Sequence, residues 1–358
     1  MKKFDFYTDI EFLQVFEAHG ETLDKMSDEF DTWKTLYRLI RNDSFNLIWA
    51  DTGQSFNKYE LIRILEQSKK IPFKKGSNYL FKTDFDFQRE IRNPFSIFFL
   101  NQTDTEKHTE QYGYVFANTK NYIEIFDKAK LEEDKKVFLV RKNEQNEILF
   151  RWNQVSKISR FGNQLLICEP YLTSWNKKEI ELNLLAIIDN FIPQNYNGLI
   201  DVTIFCTKLP PSNNTNEETR PRTASEIWHL LQPHYRNRQI RLSLFCFDTY
   251  AIKGRNMQEG TQLAEILHGR FIFTNYLRCF CDHSFEFFKY EYDMNIRRTI
   301  LNYKKTTIEF SSFLTDMTND KRQRLQDYKE LLQTFKRNYA DCMQVFETHA
   351  NHVLPLLR

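Results

Sequence analysis

Gln164–Cys168 reads QLLIC, Val202–Cys206 reads VTIFC and Leu242–Phe247 reads LSLFCF. Each is a short and nearly unbroken apolar run, which is how a strand buried on both faces reads. Two helical patterns separate them. Ile180–Phe191 sets Leu182, Leu185 and Ile188 on one face, continued by Ile192, and Ala224–Tyr235 is the second helix. Strand, helix, strand, helix, strand is the pattern of a parallel sheet covered by helices, so the fold class is α/β. Turn chemistry follows each run: Glu169-Pro170-Tyr171 after the first, the polar loop Lys208–Thr219 after the second, Asp248 after the third.

Residues 1 to about 120 show a second, smaller α/β pattern. A strand over residues 2–7 ends at Thr8-Asp9, and Ile10–Ala18 reads as a helix. Ser27 caps the next helix, with Phe30, Trp33, Leu36, Tyr37 and Ile40 at helical spacing. Phe45–Trp49 is a strand ending at Asp51, Lys58–Gln67 a helix, Phe95–Leu100 a strand, Gln102–Gln111 a polar loop and Tyr112–Phe116 a strand. Asp9 and Asp51 are the candidate metal ligands, since ligand and metal sites of open α/β sheets form at strand ends. Both also suit turn and cap positions. The expected organisation is an N-terminal domain over 1–125, a charged connection over 126–160, a second domain over 161–305 and a helical segment over 306–358. Within the connection, Lys128–Lys136 (KAKLEEDKK) is exposed, and Val137–Val140 pairs with Ile148–Trp152 around a turn at Asn143–Asn146.

Beyond Asp248 a loop leads to Leu267–Phe288, LHGRFIFTNYLRCFCDHSFEFF. Phe271 and Phe273 alternate as in a half-buried strand, and Tyr276–Phe280 supplies a second strand of the same hairpin. After Lys289 the chain reads as helical or irregular to about Phe313. From Asn319 one long helix carries Leu325, Tyr328, Leu332, Phe335, Tyr339, Met343 and Phe346 at steps of three and four. Such a stripe packs on its own domain or pairs with a second copy, which makes 319–350 the candidate homodimer segment.

His268, Arg270 and Asn275 stand in this hairpin as H-x-R-x4-N. The run His268-Gly-Arg-Phe-Ile-Phe-Thr-Asn275 resembles the H-x-K-x4-D motif of the phospholipase D superfamily, with Arg for Lys and Asn for Asp. The resemblance covers roughly residues 160–300 and includes the Rossmann-like order of elements before the motif. It implies that His268 matches the nucleophile and Arg270 the phosphate-holding cation. Asn275 supplies no carboxylate, and the chain holds no second copy of the motif, which active members bring together from two repeats or two subunits. The resemblance therefore implies a degenerate, non-catalytic phospholipase D-like module, as in domains of this type that act in binding. Two His268 brought together in a dimer would give the alternative, a phosphodiesterase or nuclease.

Charge and composition narrow the rest. Net charge is +2 over 358 residues, and the basic excess lies in the central part. Arg220, Arg222, Arg236, Arg238 and Arg241 flank one helix, and Arg297 and Arg298 follow the hairpin. These are the candidate phosphate or nucleic-acid contacts. The cysteines Cys168, Cys206 and Cys246 sit inside strand-like runs, and Cys279-x-Cys281 has no second pair at zinc spacing, so a reduced, cytoplasmic protein is expected. The start, MKKFDFYTDIEF, holds no apolar core of a secretory signal, and no apolar run is long enough to span a bilayer. Phosphate-loop, dinucleotide, zincin and serine-hydrolase motifs are absent from the sequence, and no cofactor is expected. The sequence thus points to a non-catalytic binding or adaptor protein that recognises a phosphate-rich ligand or a protein partner within a larger assembly. Its Asn-, Lys- and Phe-rich composition suits an AT-rich bacterial genome, and by analogy an accessory subunit of an antiviral defence or mobile-element system.

Overall fold

The computed structural model describes residues 3–41, 45–50, 60–67, 91, 93–101, 104–131, 135–209, 213, 215–217, 220–236, 239–293, 296–302, 305–314, 319–349 and 355–357. It is an α/β structure in two compact units. The first comprises Met1–Asp134 with Asn195–Gly198 and Ser312–Met317; the second comprises Lys135–Gln194, Leu199–Ser311 and Thr318–Arg358. Among the described residues, no helix is long and apolar enough to cross a membrane.

In the first unit β1 (Phe4–Asp9), β2 (Phe45–Ala50), β3 (Ser96–Phe99) and β4 (Val115–Ala117) form a parallel sheet in the order β2-β1-β3-β4. Helices α1 (Ile10–Thr22), α2 (Asp28–Arg41), α3 (Glu60–Gln67), α4 (Thr105–Tyr112) and α5 (Tyr122–Lys130) accompany it. Aromatic rings hold the strands in register. Tyr7, Phe98 and Phe116 stand opposite one another on three neighbouring strands, and their rings stack with centroids 4.6 Å apart at each step. Phe6 and Phe99 meet with centroids at 5.3 Å, and Phe12 of α1 packs edge-on against Phe99 at 5.6 Å. The stretch expected as a polar loop contains α4, because Asp104 accepts from Lys107 N at 3.1 Å and caps a first turn.

The second unit is built on one mixed sheet of eight strands. They are β5 (Lys135–Arg141), β6 (Gln164–Cys168), β7 (Ile200–Thr207), β8 (Ile240–Phe247), β9 (Arg270–Thr274), β10 (Leu277–Cys281), β13 (Lys305–Ser312) and β14 (Met343–Glu347). Their order is β14-β8-β7-β6-β9-β10-β13-β5. β6, β7 and β8 are parallel and lie side by side, and the runs QLLIC, VTIFC and LSLFCF fall inside them. β9 lies antiparallel on the other side of β6. The crossovers are α6 (177–191) and α7 (Ala224–Tyr235). β11 (Phe288–Asp293) and β12 (Ile296–Leu301) form a separate antiparallel ribbon. Of the expected hairpin the turn at Asn143–Asn146 forms, with Lys142 bridging Ile148 and Asn146 at φ 63°, but Val137–Val140 pairs with β13 and Trp152 opens a 3-10 turn.

Three expectations need correction. The segment after Asp248 is two helices, α8 (Thr249–Arg255) and α9 (Met257–His268), with the buried Leu263, Ala264 and Leu267 on the inner face of the second. The segment after Lys289 is not helical or irregular. It is three strands, of which β13 alternates Thr306, Ile308 and Phe310 as its buried positions. The long C-terminal helix, α10 (Asn319–Asn338), stops before Tyr339, and Met343–Glu347 turns back as the edge strand β14 beside β8. Met343 and Phe346 therefore belong to a sheet and not to a heptad stripe. The true helical stripe, Leu325, Tyr328, Leu331, Leu332 and Phe335, is buried, with Tyr328 against Phe205 and Phe271 and with Phe335 against Phe247 at 4.6 Å. The surface that a zipper between two copies needs is thus used on the chain's own sheet.

Phe335→Ala removes a fully buried ring and is expected to cost about 3–5 kcal/mol, read as lost hydrogen-exchange protection in β7 and β8. Unfolding midpoints of wild type that rise with protein concentration would instead indicate that α10 works between copies.

Candidate anion-binding site

β6 is the strand at which the sheet changes direction. From it the chain winds outward through β7 and β8, then returns through α8 and α9 to β9 on the opposite side. Ligand sites of open α/β sheets form outside the carboxyl ends of strands at such points. At this place the structure gathers Glu169 and Tyr171, which follow β6, and His268 and Arg270, which precede and open β9.

His268 is the last residue of α9, not a strand residue as the motif spacing suggested. Its side chain is exposed, and Nδ1 lies 3.2 Å from the Tyr171 hydroxyl. Arg270 stands over the same ring, with its guanidinium carbon 5.1 Å from the Tyr171 centroid. Arg270 Nη1 donates to the Asp282 carbonyl at 3.0 Å, and its Nε is buried and hydrogen-bonded to nothing. Gly269 between the two accepts a hydrogen bond at its carbonyl from the Tyr328 hydroxyl of α10 at 3.1 Å. One tyrosine thus meets a histidine at its hydroxyl and a guanidinium over its ring. That is a donor set suited to a phosphate or similar anion.

Beneath them Glu169 is fully buried. Its Oε1 accepts from Tyr171 N at 3.1 Å and its Oε2 from Phe285 N at 2.8 Å. Burial pushes its pKa up to about 7, against the opposing pull of those two backbone amides, the Ser284 side chain and the Arg270 charge. Sequence reasoning placed Glu169 at a strand end and went no further. The rule that singled out Asp9 and Asp51 applies equally to it.

Asn275 is elsewhere. It sits past the far end of β9, fully buried, where Oδ1 accepts from Asn163 N at 2.9 Å and Gln164 N at 3.1 Å and Nδ2 donates to Asn163 Oδ1 at 3.1 Å. Gly162, with φ +130°, brings the chain close: a Cβ there would lie 3.2 Å from Asn275 Oδ1. The Asn275 oxygen is spent on the backbone that starts β6, and its NH2 on the Asn163 side chain. The three motif residues therefore divide into two beside Tyr171 and one in the framework.

The structure places the remaining candidates as follows. Arg220 pairs with Glu217 at 3.0 Å and with Glu226. Arg222, with only 8% of its side chain exposed, pairs with Glu217 at 3.0 Å. Arg241 makes a two-pronged contact with Asp201, Nη2 to Oδ2 at 2.7 Å. These guanidiniums already face carboxylates. A cleft of about 700 Å³ beside Arg222 is lined by Lys177, Lys178 and His229 but also by Glu181, Glu217 and Glu226, so its charges largely cancel. Arg236 is exposed at the end of α7, Arg297 and Arg298 lie on β12, and Arg238 lies outside the described residues.

Asp9 ends β1 at the switch point of the first sheet, between β1 and β3. Its Oδ1 accepts from Phe12 N at 2.6 Å and caps α1, and its Oδ2 accepts from Asn101 N at 2.7 Å. Burial pushes its pKa up to about 6. Asp51 lies outside the described residues. Among the described residues no three His, Cys, Asp or Glu side chains stand close enough to hold a metal ion, and all six cysteines are buried free thiols. No protein-family model matches the chain, and no curated protein is similar to it.

Asn275→Ala strands two buried amide donors and is expected to cost about 2–4 kcal/mol in denaturant unfolding. Asn275→Asp restores the aspartate of the motif that the run resembles, yet it should yield no phosphodiesterase turnover. Glu169 supplies a pH test. Its native pKa lies above the unfolded value of 4.5, so the native state holds the extra proton and stability falls as pH rises from about 4.5 to about 7. That slope should be present in thermal melts of wild type and reduced in Glu169→Gln.

Proposed function

We propose that this chain is a non-catalytic binding subunit that recognises a phosphate-bearing ligand through His268, Arg270 and Tyr171. In this reading residues 161–305 form a phospholipase D-like domain with a degenerate motif, and the protein acts as an adaptor within a larger assembly. The observation that carries it is the division of the motif. A cation and an imidazole meet at one tyrosine ring beyond the carboxyl end of β6, while Asn275 is committed to the start of β6. Phosphate recognition needs the first pair only. Covalent phosphoryl chemistry through histidine needs in addition an acid for the leaving group. The buried carboxyl nearby, Glu169, is sealed under the backbone amides of Tyr171 and Phe285. The metal-dependent alternative at Asp9 finds less support, since both Asp9 oxygens already accept from backbone amides.

Binding of a 5′-phosphorylated oligonucleotide and of its dephosphorylated twin tests the proposal. The phosphorylated form should bind more tightly, and Arg270→Ala should remove about tenfold or more of that difference, the worth of one charge-assisted contact. Cleavage of the oligonucleotide or of bis-p-nitrophenyl phosphate by wild type, lost in His268→Ala, would overturn it in favour of a phosphodiesterase.

A further inference from the structure

We propose that Glu169 is the proton acceptor of this anion site, so that a dianion settling on Arg270 draws a proton onto the buried carboxyl beneath it. The inference rests on the anion-site reading above and deepens it. It assigns a role to a side chain that the ligand does not touch.

The register supplies the coupling: Cys168 faces Phe271 across β6 and β9, so Glu169 and Arg270 stand at the next position, and both meet Tyr171. Glu169 has no exposed surface, so water cannot screen it, and a charge added near Arg270 acts on it through protein alone. Its ionised form is held by two backbone amides, the Ser284 side chain and Arg270. The amides and the serine are fixed by the fold. The Arg270 charge is the one support that a ligand can take away: an anion pairing with the guanidinium cancels its field at Glu169. The carboxylate is then left buried without its counter-charge, and taking up a proton is the inexpensive response. The neutral acid still accepts from Tyr171 N and Phe285 N, so both backbone segments stay in place.

The other groups around Glu169 cannot substitute for it. Cys168 of β6, Cys206 of β7 and Cys281 of β10 feel its charge, but burial pushes Cys168 and Cys281 up, and the Cys246 hydrogen bond together with burial pushes Cys206 up, so they stay neutral throughout the working range. Tyr171 contributes its backbone amide to Glu169 and its hydroxyl to His268. His268 meets the Tyr171 hydroxyl beside Arg270, so its contribution is separated by substitution. The proton comes from solvent and is released again when the anion leaves; no bond to the ligand forms or breaks.

The probe is inorganic sulfate, a dianion that does not itself titrate between pH 5.5 and 8.5. Sulfate binding to the full chain is measured by calorimetry in buffers of different ionisation enthalpy. Wild type should take up a fraction of a proton that approaches one above pH 7, and affinity should fall by up to about tenfold per pH unit there, the limit for one coupled proton. Glu169→Gln should bind sulfate with this dependence lost, and His268→Asn should bind more weakly but keep it. If Glu169→Gln does not fold, the buffer dependence of the wild-type and His268→Asn heats decides alone. Sulfate binding with no proton uptake, or uptake that vanishes in His268→Asn and persists in Glu169→Gln, overturns the role of Glu169 and leaves the anion site standing. No sulfate binding by wild type, at any pH, overturns the anion site and this inference with it.

Discussion

β6 is paired on both edges and buried on both faces, so each of its ends must find hydrogen-bond partners without water. Backbone amides left unpaired in such a place cost about as much as the strand gains from a whole side chain. The chain meets the demand with two side chains. Asn275 receives the amides of Asn163 and Gln164 at the start of the strand, and Glu169 receives those of Tyr171 and Phe285 past its end. Much of the second unit follows from this. Asn275 ties the end of the β9 strand to the beginning of β6. Glu169 draws the segment after β10 across the carboxyl edge, where Asn183 in the π turn of α6 then fixes Phe288 through both its amide and its carbonyl at 2.9 and 2.8 Å.

The same economy separates Arg222 and Arg241 from Arg270. Arg222 and Arg241 lie where carboxylates are within reach, and each is neutralised in place. Arg270 has a carbonyl, an aromatic face and a carboxyl held back beneath two amides. Its charge is balanced at a distance and not by contact. That arrangement leaves a cation able to exchange its partner, which a binding site for anions requires.

The parts of the fold legible in sequence are those with one dominant signal. β6, β7 and β8 have apolar runs and no competing pattern. The aromatic strands of the first unit are similar, since Phe and Tyr at a strand's buried positions leave little choice of face. The parts that were missed carry mixed signals. In β13 the period of two is diluted by Thr306 and Thr307. In α9 the helical period is carried by Gly260 and Ala264, small residues that read as loop. Met343 and Phe346 continue the spacing of α10 by coincidence, and the exposed edge of β8 decides their fate. Half of the candidate site was visible because His268 and Arg270 are rare residue types in an apolar hairpin. Glu169 and Tyr171 were not, because their proximity to His268 depends on β9 returning beside β6, a pairing that spans about a hundred residues and leaves no local trace.

The central claim is that an anion binds at the Tyr171 ring between His268 and Arg270. Crystals soaked in selenate and measured at the selenium edge test it most directly. The account predicts an anomalous peak within hydrogen-bonding distance of the Arg270 guanidinium and the His268 imidazole, absent from crystals of Arg270→Ala. A peak confined to the cleft beside Lys177 and His229, or to Arg236, with none at Arg270, would contradict it.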